Sequence, residues 1–336
     1  MRKITLSLFA IVLLIGSCQK KDLKTAEDQV SSPEQISGRI CASDEVLQAQ
    51  IADNPSRGKY LENLEEYTET YKGRSQGINF RADQTLYVPV VLHIVLPDPN
   101  VVSDAQIKSQ FDVLKKDFSK TNSELSSSSV YLAGYDFNAV ANCKVEYYVS
   151  NIVRKATTVT SFGTNDAVKK TSSGGSDPID PTTKMNFWVC DLSSGYLGYA
   201  QFPGGSASTD GVVIDYQAFG TTASYPMYAS FNLGRTATHE IGHWVNLRHI
   251  WGDRRCGTDY VNDTPAHDGS NGGCPSPTLR SQCTGKPLEQ WMNYMDYTDD
   301  KCMYMFSGGQ KTRMDAAIDG ARISYFSTTA PATRLF

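Results

Sequence analysis

This chain of 336 residues has no excess of basic charge: 32 Lys and Arg stand against 36 Asp and Glu, a formal net charge of −4. That argues against nucleic acid as a partner, because neutralising phosphates takes a basic face. Short pairs such as Lys115-Lys116 and Lys169-Lys170 read as solvated surface. No internal repeat is visible, which excludes solenoid and propeller architectures. Histidine is scarce, with five in the chain, yet three of them fall inside residues 239–249. Composition is otherwise that of a globular protein, 40% hydrophobic and 20% charged, with length for one large domain and an accessory segment.

The N-terminal apolar run, residues 4–15, is too short to span a bilayer as a mature helix, and Arg2 and Lys3 precede it, so it reads as a targeting segment. It ends in Ile15-Gly16-Ser17-Cys18. This resembles a bacterial lipobox, in which Cys18 is acylated and becomes the new N-terminus. The bland alternative is an ordinary signal peptide with an incidental Cys. Gln19-Lys20-Lys21-Asp22 resembles a surface-export tag. The expectation is an exported protein, lipid-anchored to the bacterial outer membrane or cell surface, with residues 1–18 removed.

Residues 19–38 are polar and read as a tether. Helical spacing follows in residues 43–71, with Val46, Leu47, Ile51, Leu61, Leu64 and Tyr67, broken at Asn54-Pro55. The glycine-bearing stretch 72–77 suits proteolytic cutting. Residues 19–81 are therefore read as tether and pro-segment, and 82–336 as the main domain. Residues 86–96 (LYVPVVLHIVL), near-continuously apolar and rich in β-branched side chains, predict a buried strand. Residues 144–152, 185–190 and 211–216 predict others. Ser103 and Gln106 suggest a capping box on a helix whose apolar face is Ile107, Phe111, Leu114 and Phe118. Residues 310–318 read as a further helix. Strands mixed with a few long helices indicate an α/β or α+β fold.

The sequence HEIGHWVNLRH at 239–249 carries the chemistry. On a helix, His239 and His243 share one face and can present ring nitrogens to a single ion, with Glu240 one step round and able to reach a water. Three protein ligands and one open position define a catalytic rather than a structural zinc site. His249 is the third ligand, yet ten residues of straight helix would carry it about 15 Å away. The chain must turn back at residue 246. A left-handed residue there is usually Gly and otherwise Asn, so Asn246 is a workable turn residue rather than a sign of decay.

At these residues the sequence resembles the metzincin clan of metallopeptidases and, within it, the pappalysin family. The matching stretches are GYAQFPGG (198–205), DGVVIDYQAFG (210–220), HEIGHWVNLRHIWGD (239–253), CGTDYVNDTP (256–265) and NYMDYTDDKCMYMF (293–306). The resemblance implies a zinc endopeptidase acting on proteins or peptides. Its fold would be a twisted, mostly parallel five-stranded sheet with a backing helix and an active-site helix, followed by an irregular disulfide-bonded C-terminal subdomain. Met295 would be the Met-turn residue beneath the ligands, and Tyr297 the residue that approaches the metal or the oxyanion. Glu240 would be the general base. Calcium would bind Asp259, Thr264 and backbone such as the carbonyl of Asn262.

Export places the eight cysteines in an oxidising space. Spacing alone leaves open how Cys256, Cys274, Cys283 and Cys302 pair, or whether they bind a structural zinc. The resemblance suggests Cys256–Cys283 and Cys274–Cys302. With a possible Cys143–Cys190 pair, Cys41 is left over. In Arg39-Ile40-Cys41 it resembles a pro-segment switch whose thiolate takes the fourth zinc position; the rival is a disulfide from Cys41 to Cys143 or Cys190. Relatives that cleave before Arg or Lys place an acidic residue immediately before the last loop Cys. Here that position is Lys301, preceded by Asp299 and Asp300, so the basic preference is not expected unless an Asp turns inward. The expected protein is a monomeric, latent zinc peptidase. The competing reading, from another class, is a surface binding protein on an inactive metzincin scaffold.

Overall fold

The computed structural model describes residues 36, 38–72, 84–127, 134–135 and 137–336. These belong to one compact unit, Pro33–Phe336. The expected signal peptide with Cys18, most of the expected tether and most of the expected cutting stretch lie outside the described residues. Among the described residues no helix is long and apolar enough to cross a membrane.

Two helices, α1 (Ser43–Asp53) and α2 (Ser56–Lys72), lie in the stretch read above as a pro-segment and part at Asn54-Pro55 as the sequence suggests. Strand β1 (Leu86–Leu96) and strand β3 (Met185–Cys190) fall where the apolar runs place them, and β2 (Val145–Ala156) and β5 (Val212–Asp215) are close to expectation. The three-residue strand β4 (Gly198–Ala200) is too short for any periodicity to reveal. The sheet order is β2-β1-β3-β5-β4, parallel except that β4 runs antiparallel to β5 at the edge.

Burial on both faces explains why the strands read as apolar runs rather than as alternation. On one face, Val90, Leu92, Ile94, Phe187 and Ile214 meet helix α3 (Asp104–Ser119) through Ile107, Phe111, Leu114 and Phe118. Each such apolar side chain taken from water contributes about 1.5–3 kcal/mol. On the other, Val95, Trp188, Val213 and Tyr199 make a second cluster. The capping box at α3 forms only by half. Ser103 Oγ accepts from the Gln106 backbone N–H at 3.2 Å, but the buried Gln106 side chain donates to Phe219 O at 2.7 Å instead of returning to its own cap. The full box occurs on α6 (Gly308–Asp319), between Ser307 and Gln310. Lys169 is also not surface: its ammonium is buried, donates to Thr209 O at 2.7 Å and pairs with Asp166.

Cys256–Cys283 and Cys274–Cys302 are bonded and pin the irregular C-terminal subdomain. Cys143 and Cys190 are both free and do not pair, because they belong to the two clusters on opposite faces of the sheet. A single turn, α4 (Glu124–Ser127), and the active-site helix α5 (Arg235–Trp244) complete the helices.

Candidate active site

Helix α5 is buried along its whole length and carries His239, Glu240 and His243. It ends in two paired hydrogen bonds. Leu247 N–H donates to Gly242 O at 2.8 Å and Asn246 N–H to His243 O at 2.9 Å, with Asn246 at φ +75°. This is a Schellman motif closed by a left-handed residue, and it turns His249 back to the ligand site. The buried Asn246 amide has no partner among the described side chains. Asn246→Gly should therefore retain zinc and activity, with a melting temperature no lower than wild type, since leaving polar atoms unpaired costs about 1–3 kcal/mol. Asn246→Val forces a β-branched residue into this backbone at about 1–2 kcal/mol or more and should reduce both zinc occupancy and activity. Metal analysis beside a peptide assay checks the pair; equal behaviour of the two variants would sink the turn argument.

Each ligand ring is aimed by its other nitrogen. His239 Nδ1 lies 2.6 Å from Tyr294 O and His243 Nδ1 2.8 Å from Leu247 O. A carbonyl only accepts, so both rings carry the proton on Nδ1 and leave an Nε2 lone pair for a metal. His249 Nδ1 is held by Asp253. The three Nε2 atoms converge, His243 to His239 at 3.2 Å and His243 to His249 at 3.1 Å. A tetrahedral zinc with bonds of about 2.0–2.1 Å sets ligand nitrogens about 3.3–3.4 Å apart, so the donor set fits that ion. Cys41 joins the group, its sulfur and the three ring nitrogens lying within 4.8 Å of one another. Burial lowers the His239 imidazole well below its usual range and that of His243 to about 3, which keeps these two rings neutral.

Met295 packs beneath the helix. A Cβ at Gly242 would come 2.5 Å from its sulfur, so that glycine is what lets the Met-turn approach. Gly198 on β4 does the same for Glu240, whose Cγ would lie 2.9 Å from an added Cβ. Burial pushes the Glu240 carboxyl up to about 7. Tyr297 stands edge-on to His249, ring centroids 4.9 Å apart.

The segment 39–43 fills the space in front of these residues. Leu197 N–H donates to Ile40 O at 2.9 Å and Ala42 N–H to Gly198 O at 3.1 Å, so the segment adds to the edge of β4. The Tyr297 hydroxyl contacts both Cys41 N and Cys41 O at 3.2 Å. The Cys41 thiol lies 3.3 Å from Glu240 Oε2, and burial and that carboxylate raise its pKa well above normal. Ser43 was not visible in the sequence as a site residue. Its hydroxyl donates to Glu240 Oε2 at 2.8 Å and accepts from Ala200 N–H at 2.8 Å. Asp253 was likewise missed as the partner of a ligand ring.

The sequence left open whether an Asp beside Lys301 turns inward. Lys301 points outward, its side chain 68% exposed, with Asp299 at 3.8 Å. Asp300 is the residue that turns in. Its Oδ1 accepts from Arg39 Nη2 at 2.6 Å, and its Oδ2 from the backbone N–H groups of Leu233 at 2.8 Å and Arg235 at 3.2 Å. Arg39 Nη1 donates to Thr236 Oγ1 at 2.9 Å, and the guanidinium lies 5.0 Å over the Phe231 ring. A buried pocket with an acidic floor and an aromatic wall thus holds a guanidinium. In the expected calcium loop, Asp259 and Thr264 bond each other at 2.8 Å, Val261 O accepts from the same hydroxyl, and Asn262 is exposed.

Sheet, active-site helix, three converging histidines with an adjacent glutamate, and a methionine-bearing turn beneath them define a zinc metalloendopeptidase of the metzincin class. The family model for M43 peptidases, described as pregnancy-associated plasma protein-A, matches residues 170–319. An extracellular metalloprotease of Verticillium alfalfae is 31% identical over 255 residues, covering 73% of this chain and 82% of that protein. One of Neurospora crassa is 30% identical over 274 residues, covering 78% and 85%. The chain belongs to the M43, or pappalysin, family. Among solved structures, mirolysin in complex with a compound superposes with a TM-score of 0.66 at 39% identity, covering 72% of this chain and 96% of that one. A mutant of promirolysin from Tannerella forsythia gives a TM-score of 0.75 at 34% identity, with 85% and 97% covered. Promirolysin thus matches more of this chain than the compound-bound mirolysin does. The relatives named extracellular support export.

Proposed function

We propose that this protein is an exported endopeptidase, made latent by residues 19–81, that cleaves peptide bonds preceding Arg or Lys. The observation that carries the specificity is the Arg39 guanidinium seated on Asp300 beside the ligand cluster. A side chain of the same chemistry in a substrate would take that place once the pro-segment has gone.

His239, His243 and His249 would hold the zinc, which when bound supplies Lewis acidity that acidifies water and polarises the scissile carbonyl. Glu240 takes the proton of the attacking water and passes it to the leaving amine. The Tyr297 hydroxyl, freed from Cys41, donates to the oxygen on which negative charge develops. In the latent form Cys41 would join the three histidines in holding the zinc, while Ser43 engages Glu240 and keeps the base from water. Asp259 and Thr264 would give up their mutual hydrogen bond to hold calcium. Lipidation at Cys18 would keep the precursor at a membrane until the pro-segment is cut.

The test is hydrolysis by the activated protein of peptides that differ only in the residue after the scissile bond. Arg and Lys peptides should be cut, activity should vanish with a zinc chelator, and it should return with added zinc. A zinc-loaded, activated protein that cuts none of them would leave the inactive-scaffold reading standing.

A further inference from the structure

The pro-segment has a second anchor, outside the ligand cluster. Glu65 on α2 places its two carboxylate oxygens on Nη1 and Nη2 of Arg313, each at 2.5 Å, and Arg248 Nη2 lies 4.0 Å from the same group. Arg313 is fully buried and its fork is fixed, because its Nε donates to Asn246 O at 2.6 Å, the carbonyl of the turn that places His249. Both guanidinium groups stack on Tyr260, at 5.3 Å for Arg248 and 5.4 Å for Arg313. Arg248 also lies 5.8 Å over Phe202, whose ring packs 5.3 Å from His243. Two-pronged capture by a preorganised fork is a carboxylate cradle, and it adjoins the catalytic cleft. Among the described residues, the ion pairs of Arg248 and Arg313 both go to Glu65. The neighbouring acid Asp259 has its oxygens engaged by Thr264 and the Val261 N–H.

We infer that, in the mature enzyme, Arg248 and Arg313 form a subsite for an acidic side chain of the substrate. The inference rests on the reading of residues 19–81 as a removable pro-segment. Loss of α2 takes away the counter-ion and leaves two adjacent guanidinium groups, one of them locked, beside the path of a bound peptide. An incoming carboxylate restores the pairing that Glu65 provided. Selection by this enzyme is then double, a basic residue at the scissile bond and an acidic one at a fixed distance from it.

The experiment uses the activated full enzyme and peptides with Arg fixed after the scissile bond. A single Glu is moved through the flanking positions, each peptide paired with its Gln counterpart. At one position kcat/KM for the Glu peptide should exceed that for its Gln partner by about tenfold, and the ratio should shrink as salt is raised. Arg248→Gln should bring the ratio close to one, and Arg313→Lys should reduce it by removing the fork while keeping the charge. Because each enzyme is read as a ratio, a general loss of activity cancels. Wild-type enzyme that cuts the Gln peptides yet prefers Glu nowhere overturns the subsite, as does a full preference retained by Arg248→Gln. Enzyme that cuts none of the peptides overturns the endopeptidase reading instead.

Discussion

Glu240→Ala is expected to slow peptide hydrolysis by about 10²–10⁴-fold while leaving the zinc content at wild-type level. The magnitude is that of a positioned general base, whose removal costs about 10²–10⁴ in rate. Zinc should stay because Glu240 is outside the metal-binding group of Cys41 and the three histidines, and each of those rings is aimed by another partner, Tyr294, Leu247 or Asp253. Metal analysis and steady-state kinetics on the same preparation separate the two quantities. Wild-type rates from the variant would remove Glu240 from the mechanism, and lost zinc would make it a structural residue instead.

Asp300→Asn should act with opposite signs on the two forms of the protein. In the mature enzyme it should lower kcat/KM for peptides with Arg after the scissile bond by about 10²–10⁴, since stripping one partner from a buried ion pair costs about 3–5 kcal/mol. In the precursor the same change deprives Arg39 of its charge partner at 2.6 Å, so latency should weaken and activation should quicken. Asn keeps the volume and an oxygen for the Leu233 and Arg235 N–H groups, which protects the pocket's shape. The readouts are the ratio of Arg to uncharged peptides in the mature enzyme and the activation lag of the precursor. An unchanged Arg preference would show that the basic side chain binds elsewhere.

What could be read from the sequence followed the range of each interaction. The zinc ligands are local: two lie one turn apart on a helix, and the third is reached by a turn whose backbone demand Asn246 meets. The long apolar strands and the spacing of α3 are equally local. Met295 was reached only through family resemblance, because its role depends on contact with Gly242 across the fold. Ser43 could not be found at all, since nothing around it announces a partner 197 residues away. Which side chain of Asp299-Asp300-Lys301 faces inward could not be read from the sequence either. Asp300, Lys301 and Cys302 form a 3-10 turn, where successive side chains point about 120° apart. The bond of Cys302 to Cys274 and the hold of the α5 N-terminus on Asp300 fix its phase, and neither is written in the local pattern.

The strand-like segment 39–43 and helices α1 and α2 bind the rest of the protein through contacts that do not need a continuous backbone. Arg39, Cys41, Ser43, Arg57 and Glu65 all hold partners in the catalytic domain. A cut beyond α2 breaks none of these. It ends only the tethering, which keeps such a segment at an effective concentration of about millimolar. Inhibition after the cut is governed by mass action between two separate chains. Under the proposed reading of residues 19–81 as a removable pro-segment, cleavage would arm the enzyme, and dilution of the freed segment, or its destruction, would set it working.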